Sequence, residues 1–518
     1  MNQWTSFVFL TVLLNGVCGF HILVAFPYPG KSHTILGDGY VRHLLKAGHK
    51  VTYITANPIQ KPHSNLKQVI VSSNEPGRML NNALDLEKLL AKEIDLKDMY
   101  NMYQLMLGVA NASVTNENVQ KFLMETTDTY DLVVAEWLYH HLYIGFAPIF
   151  NCPFVWSSSL EAHPMILTLI DEVGNPAYFP DHMSPVSPPL TFSERVSELW
   201  NVIYLNNVAW SMQAIEAKAF KDAFGPAAAK RGIKLPALEE VKYNGSLVLG
   251  NSHISAGIAQ RLPLNYKPIA GYHIEDEVPP LPENLQKILD NAPNGVIYFS
   301  MGSMMKSKTL PMKLKKELLE MFGQLKQTVI WKFEEEFPGL PKNVHMVQWA
   351  PQQSILAHPN CKLFVTHGGL LSTTETLHFG VPIIGIPLFA DQFMNVERAV
   401  RKGFALKVDL SYDTPAKLKV AIQEIFSNPK YSQRVKELSF IYHHRPAKPG
   451  AELVHWIEHV IQTKGALHLR SPALHVPLYQ KFFLDLIGII LLGALVVLRI
   501  ASKLISSVRK NDTKQKRS

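Results

Sequence analysis

Residues 349–392 constrain the fold more than any other stretch. They read W-A-P-Q-Q-S-I-L-A-H-P-N-C-K-L-F-V-T-H-G-G-L-L-S-T-T-E-T-L-H-F-G-V-P-I-I-G-I-P-L-F-A-D-Q. The apolar run 361–365 predicts a strand, Thr366-His367-Gly368-Gly369 a turn, and the periodic segment up to Phe379 a helix. Paired glycines let the backbone come close to a ligand, and a helix start offers an anion free N–H groups and a positive dipole end. Gly380-Val381-Pro382 then breaks the helix, residues 383–386 predict a second buried strand, and Asp391-Gln392 fall on the loop beyond it. Ligands of open α/β sheets bind just past such strand ends. The stretch therefore predicts a phosphate-binding crevice ringed by polar groups.

At 518 residues the chain is too long for a single core, and two domains with appendages are expected. A hydrophobic content of 47% with 34 prolines fits a globular enzyme with short connections, not a disordered or fibrous chain. The formal charge of +8 comes without a basic stripe or aromatic-basic motif, and several positives crowd the C-terminal tail. Nucleic acid is therefore excluded as a partner. Three cysteines, Cys18, Cys152 and Cys361, cannot form a disulfide framework. Cys18 leaves with a signal segment, and the other two read as buried structural thiols.

Residues 1–19 have the short apolar core and small-residue cut site of a secretory signal peptide. Residues 21–26 predict the first strand of the mature chain, 34–45 a helix and 51–54 the next strand, a βαβ opening. His33 stands just before that helix, where it can be a cap or a catalytic group. Residues 86–107 predict a helix, and 130–135 a buried strand that places Glu136 at its carboxyl end, facing the ligand crevice. Residues 193–224 predict one or two helices whose aromatic side chains read as core. Residues 247–251 predict the last strand of the first domain, and the proline-rich segment 278–282 is the linker. The second series starts at 296–300. Residues 479–501 reach membrane-spanning length, and the tail carries Lys503, Arg509, Lys510, Lys514, Lys516 and Arg517. The domain scheme is 1–19 signal, 20–280 acceptor-binding domain, 281–445 donor-binding domain, 446–478 a helix packing back on the first domain with a juxtamembrane segment, 479–501 the membrane helix, and 502–518 a basic tail.

On these motifs the chain resembles the membrane-bound animal UDP-glycosyltransferases, particularly an arthropod-like branch. W-A-P-Q-Q at 349–353, L-A-H-P at 356–359, F-V-T-H-G-G at 364–369 and P-L-F-A-D-Q at 387–392 carry the resemblance. G-V-I-Y-F-S-M-G-S at 295–303, the N-P-A-Y-F-P loop and the C-terminal anchor extend it over nearly the whole chain. It implies an α/β protein of GT-B fold, two Rossmann-like doubly wound domains facing a cleft, with one C-terminal transmembrane helix.

The implied roles follow residue by residue. Trp349 would stack on uracil, and Gln352 would contact the nucleoside. Ser303, His367, Gly368 and Gly369 would hold the diphosphate with a contribution from Thr366, Glu375 the ribose, and Asp391 with Gln392 the sugar hydroxyls. His33 would be the general base. The supporting position is aspartate in the family, but here it is Glu136, one methylene longer. The resemblance implies an inverting transferase moving a hexose, glucose, from a UDP-sugar to the hydroxyl of small lipophilic acceptors. It needs no cofactor and no metal. Glucuronosyl transfer, a lipid or sterol acceptor, and a catalytically silent binding homologue are the alternatives. Family members often self-associate as homo- or hetero-oligomers. The tail ends K-Q-K-R-S, like a dilysine retrieval signal. This places the protein in the endoplasmic reticulum membrane as a single-pass chain with luminal domains and a cytosolic tail.

The sequons at Asn111 and Asn244 would then be luminal glycan sites, whereas a third at Asn511 would be cytosolic. Glycosidase mapping should therefore find Asn511 unmodified. A glycan there would reverse the orientation.

Overall fold

The structure, a computed structural model, describes residues 19–71, 87, 90, 98–172, 174–181, 184, 186, 188–303 and 307–515. The signal segment with Cys18, the start of the helix expected over 86–107, and Lys516 with Arg517 lie outside the described residues. Seven strands make the first sheet: β1 (His21–Phe26), β2 (Lys50–Thr55), β3 (Leu66–Ile70), β4 (Leu132–Trp137), β5 (Phe154–Ser158), β6 (Val248–Gly250) and β7 (Tyr266–Pro268). The second holds six: β8 (Val296–Ser300), β9 (Thr328–Lys332), β10 (Val344–Val347), β11 (Cys361–Thr366), β12 (Ile383–Gly385) and β13 (Ala405–Lys407). Their orders are β3-β2-β1-β4-β5-β6-β7 and β10-β9-β8-β11-β12-β13. Every pairing is parallel.

Each sheet is covered on both faces, which is why its strands are continuous apolar runs. Along β1, Leu23 and Ala25 enter one core while Ile22, Val24 and Phe26 enter the other. Along β8, Ile297 and Phe299 point one way, Val296 and Tyr298 the opposite. The C-terminal helix Pro449–Gln462 closes the second face of the first sheet: its Leu453, Ile457 and Val460 are buried with Ile22 and Val24. A buried ion pair, Arg398 with Glu161, joins the body of the second sheet to that of the first.

Both sheets reverse their order once, between β1 and β4 and between β8 and β11. Crevices open at such switch points, and the residues that matter are those just beyond these four strands.

The structure corrects several sequence readings. β7 extends the first sheet beyond the strand expected to be its last. Asp391 and Gln392 do not lie on a free loop: Asp391 is the N-cap residue of a helix, Gln392–Arg401, which leads to β13. His33 lies inside the first turn of the helix Lys31–Lys46 rather than before it. Residues 192–230 form one helix, Phe192–Lys230, and Phe192, Trp200, Tyr204 and Trp210 are exposed rather than core.

The C-terminal unit, residues 471–518, contains the helix Leu484–Gln515. Its segment Leu484–Ser507 is 24 residues long with mean hydropathy 2.4, long and apolar enough to cross a membrane. It starts later than residue 479, after Phe483 takes φ 54° and breaks the preceding turn.

Ile457→Ala should cost about 2–5 kcal/mol, the usual range for a buried isoleucine. Hydrogen exchange would then quicken in the helix Pro449–Gln462 and β1 while β8 and β11 stay protected.

Candidate functional site

The turn Pro27-Tyr28-Pro29-Gly30 leads from β1 into the helix Lys31–Lys46, with Gly30 as its extended N-cap. This delivers His33 beside β4, the neighbour of β1. His33 Nδ1 lies 2.5 Å from Glu136 Oε1. Glu136 is wholly buried, and Ser159 Oγ, just past β5, donates to the same oxygen at 2.7 Å. The Tyr28 ring packs 4.4 Å from the imidazole, centroid to centroid. With Nδ1 engaged on the carboxylate, Nε2 is the nitrogen left to exchange a proton.

Across the cleft, His367 follows β11. Burial, and after it the charge of Lys332, lowers its pKa to about 4, so the ring is neutral at neutral pH. The loop after β8 passes tightly against it. Gly302 takes φ 82°, and a Cβ there would lie 2.6 Å from His367 Cε1, so both the conformation and the space require glycine. Ser303 follows on the same loop. Gly369 is the extended N-cap of the helix Leu370–Phe379, and no side chain caps its amino end. Its first-turn N–H groups are therefore open to an anion.

Trp349 is 57% exposed, an indole held in the open at the cleft. Two cations approach its ring, Lys31 from the first sheet's side at 5.5 Å and Lys332 at 5.9 Å. Glu375, buried on the same helix that Gly369 starts, accepts from Gln352 Nε2 at 2.5 Å and Gln353 Nε2 at 3.2 Å. His273 Nε2 is 3.5 Å away. Asp391 accepts from Asn395 Nδ2 at 2.8 Å. Gln392 spends its carbonyl on the N–H of Leu388, at 2.9 Å, which leaves its amide nitrogen to the cleft.

A single cavity of about 480 Å³ gathers these groups. His33, Ser303, Trp349, Gln352, His367, Gly369, Glu375, Asp391 and Gln392 all line it. Thr366 and Gly368 do not. Thr366 is buried behind the wall, its hydroxyl accepting from Gly368 N, and a Cβ on Gly368 would meet Val396. On the His33 side the wall is apolar, formed by Met102, Leu105, Met106, Leu138, Tyr139 and Leu160. Away from the cavity, Asn244 is exposed, whereas Asn111 is half-buried in a helical turn. The Cys152 and Cys361 thiols are free, and burial pushes both up to about 12.

Sequence reasoning missed Ser159 and Lys332. Lys332 ends β9, is nearly buried, and donates to Gly302 O and Glu334 Oε1 at 2.8 Å each. The signal was present: each lies at the carboxyl end of a buried strand, the same rule that singled out Glu136.

Two parallel sheets meeting at a cleft, with an imidazole on one side and an anion-ready helix start on the other, define a glycosyltransferase of GT-B fold. The solved glycosyltransferase of kitacinnamycin superposes with a TM-score of 0.56 at 18% identity, covering 85% of this chain and 98% of that one. The family model described as UDP-glucoronosyl and UDP-glucosyl transferase matches residues 23–518, and the chain belongs to that family. Relatives include UDP-glucosyltransferase 2 of Dactylopius coccus, 32% identical over 93% of this chain and 92% of its own. UDP-glucuronosyltransferase 2B15 of Rattus norvegicus is 29% identical over 97% and 96%.

Lys332→Met removes a cation that braces the Gly302 loop and faces the anion pocket. Hydrogen bonds to charged groups contribute about 1.5–3 kcal/mol, so UDP binding should weaken roughly 10- to 150-fold in calorimetric titration.

Proposed function

We propose that the protein transfers glucose from UDP-glucose, with inversion, to the hydroxyl of a small lipophilic acceptor. The observation that carries this is the His33–Glu136 contact of 2.5 Å, set between an apolar wall and the His367 loop. The acceptor sits against Met102, Leu105 and Met106 with its hydroxyl toward His33. As the acceptor oxygen bonds to the anomeric carbon, its proton passes to His33 Nε2, and Glu136 stabilises the resulting imidazolium. The bond from the anomeric carbon to the UDP oxygen breaks on the opposite face, so an α-linked donor gives a β-linked product. The charge that develops on UDP falls on the amino end of the helix Leu370–Phe379 and on Ser303, beside neutral His367 and Lys332.

Trp349 stacks the uracil, Gln352 contacts the nucleoside, Glu375 takes the ribose hydroxyls, and Asp391 with Gln392 hold the sugar. Thr366 and Gly368 support this loop from behind. Glucose is favoured over glucuronic acid because, of the two cations among the described lining residues, Arg42 is paired with Glu275 and Lys332 is given to the diphosphate. Neither is left over for a sugar carboxylate. The helix of spanning length anchors the chain as a single-pass protein of the endoplasmic reticulum, with the cleft on the luminal side.

His33→Ala should abolish transfer to a phenol such as 1-naphthol while leaving UDP affinity nearly unchanged. Persistent turnover would remove His33 as base, and UDP binding without any glycoside from the native chain would favour a carrier. Glu136→Gln should keep the fold and lower kcat by up to about 10⁴-fold, the scale of the comparable carboxylate-to-amide change in a triad.

A further inference from the structure

The helix Phe192–Lys230 wears its side chains inside out. Between Arg195 and Lys218 its charged side chains are Glu198 and Glu216, and both are buried. Glu198 accepts from Asp181 N at 3.0 Å and Ser184 Oγ at 2.5 Å, and Glu216 from the main chain and ring of His141. These carboxylates, with Leu205, Val208 and Met212, fix the inner face to the core that holds Tyr103 and Met106. The outer face carries Phe192, Val196, Leu199, Trp200, Ile203 and Trp210, each more than half exposed. The spacing of 192, 196, 199, 203 and 210 keeps five of them on one helical stripe, with Trp200 at its flank. A water-facing helix places charges at such positions, and an exposed apolar patch of this kind marks a docking surface.

We propose that this face lies in the headgroup region of a bilayer. The chain ends in a helix of spanning length, so a bilayer is a surface the protein meets. The stripe also has the composition of that depth: two tryptophans and Tyr204 mixed with aliphatics, bordered by Asn206, Asn207 and Ser211, with no exposed charge from Val196 to Ala217 and Arg195, over the Phe192 ring, at its end. Indole and phenol rings partition to the membrane–water interface, and an apolar helical face buries there lengthwise. The helix packed on its inner side, Met99–Val114, supplies Met102, Leu105 and Met106 to the apolar wall of the cavity. Docking would thus bring the acceptor side of the cleft to the phase in which lipophilic hydroxyl compounds concentrate. That consequence rests on the proposed acceptor class. The docking itself does not.

The test uses the full chain in phosphatidylcholine nanodiscs, carrying a nitroxide at one introduced cysteine: Ile203→Cys on the stripe, Lys316→Cys on an exposed polar helix face, or Leu492→Cys in the spanning helix. Power saturation compares access of oxygen with that of a water-soluble nickel chelate. The label at 203 should favour oxygen, as at 492, with the opposite preference at 316. Nickel access at 203 equal to that at 316, with 492 still in lipid, overturns the docking and leaves the anchor standing. Nickel access at 492 overturns the anchor, independently of the reading at 203. Spin–spin broadening at 203 that disappears on dilution with unlabelled protein means a second copy covers the stripe, and also overturns the proposal.

Discussion

Glu136 sits next to the end of β4 with no exposed surface, so its charge must be met by protein groups. Ser159 and His33 meet it on one oxygen. Around them Tyr28, Tyr40, Tyr143 and Tyr272 are buried, and burial together with the Glu136 charge raises the pKa of each phenol. The orientation of His33 is set by the turn after β1 and the first turn of the helix Lys31–Lys46, held against β4 by the Glu136 contact. The register of β1 against β4, which aligns Ala25 with Ala135, brings the imidazole and the carboxylate together from residues far apart in the chain.

The opposite wall solves a different electrostatic problem. An anion must be welcomed and later released, so the groups facing it are amides at an uncapped helix start, a histidine kept neutral by burial, and a lysine already partnered. The carboxylate on this wall that is most firmly held, Glu375, is tied by two glutamine amides a turn and a half into the helix.

Much of this was legible in sequence because parallel strands buried on both faces leave uninterrupted apolar runs, and because glycine and proline mark their ends. The runs at 21–26 and 361–365 and the turn at Gly368-Gly369 each became what they predicted. β7 and β13 were not legible. Each is three residues long and carries a lysine, so no apolar run marks it, whereas the equally short β6 and β12 are apolar throughout. Gln392–Arg401 escaped notice because it starts within a few residues of β12, where its N-cap residue Asp391 reads equally well as part of the strand-end loop. The helix Phe192–Lys230 misled for a physical reason. Aromatic residues at helical spacing say that one face avoids water, but not whether protein or something else covers it. Buried Glu198 and Glu216 reverse the usual cue for which face turns inward.

The Arg398–Glu161 pair bears on how the cleft opens. Both side chains are shut away from water, and Arg398 Nε has no partner of its own. Separating the halves around this contact means rehydrating two charges at once, an uphill step whose cost is largely recovered only when both are fully wet. Such a contact behaves as a catch more than as a spring. The cleft would stay shut through small fluctuations and open in discrete events, and the departure of spent nucleotide would follow the rhythm of an ion pair remote from the reacting atoms.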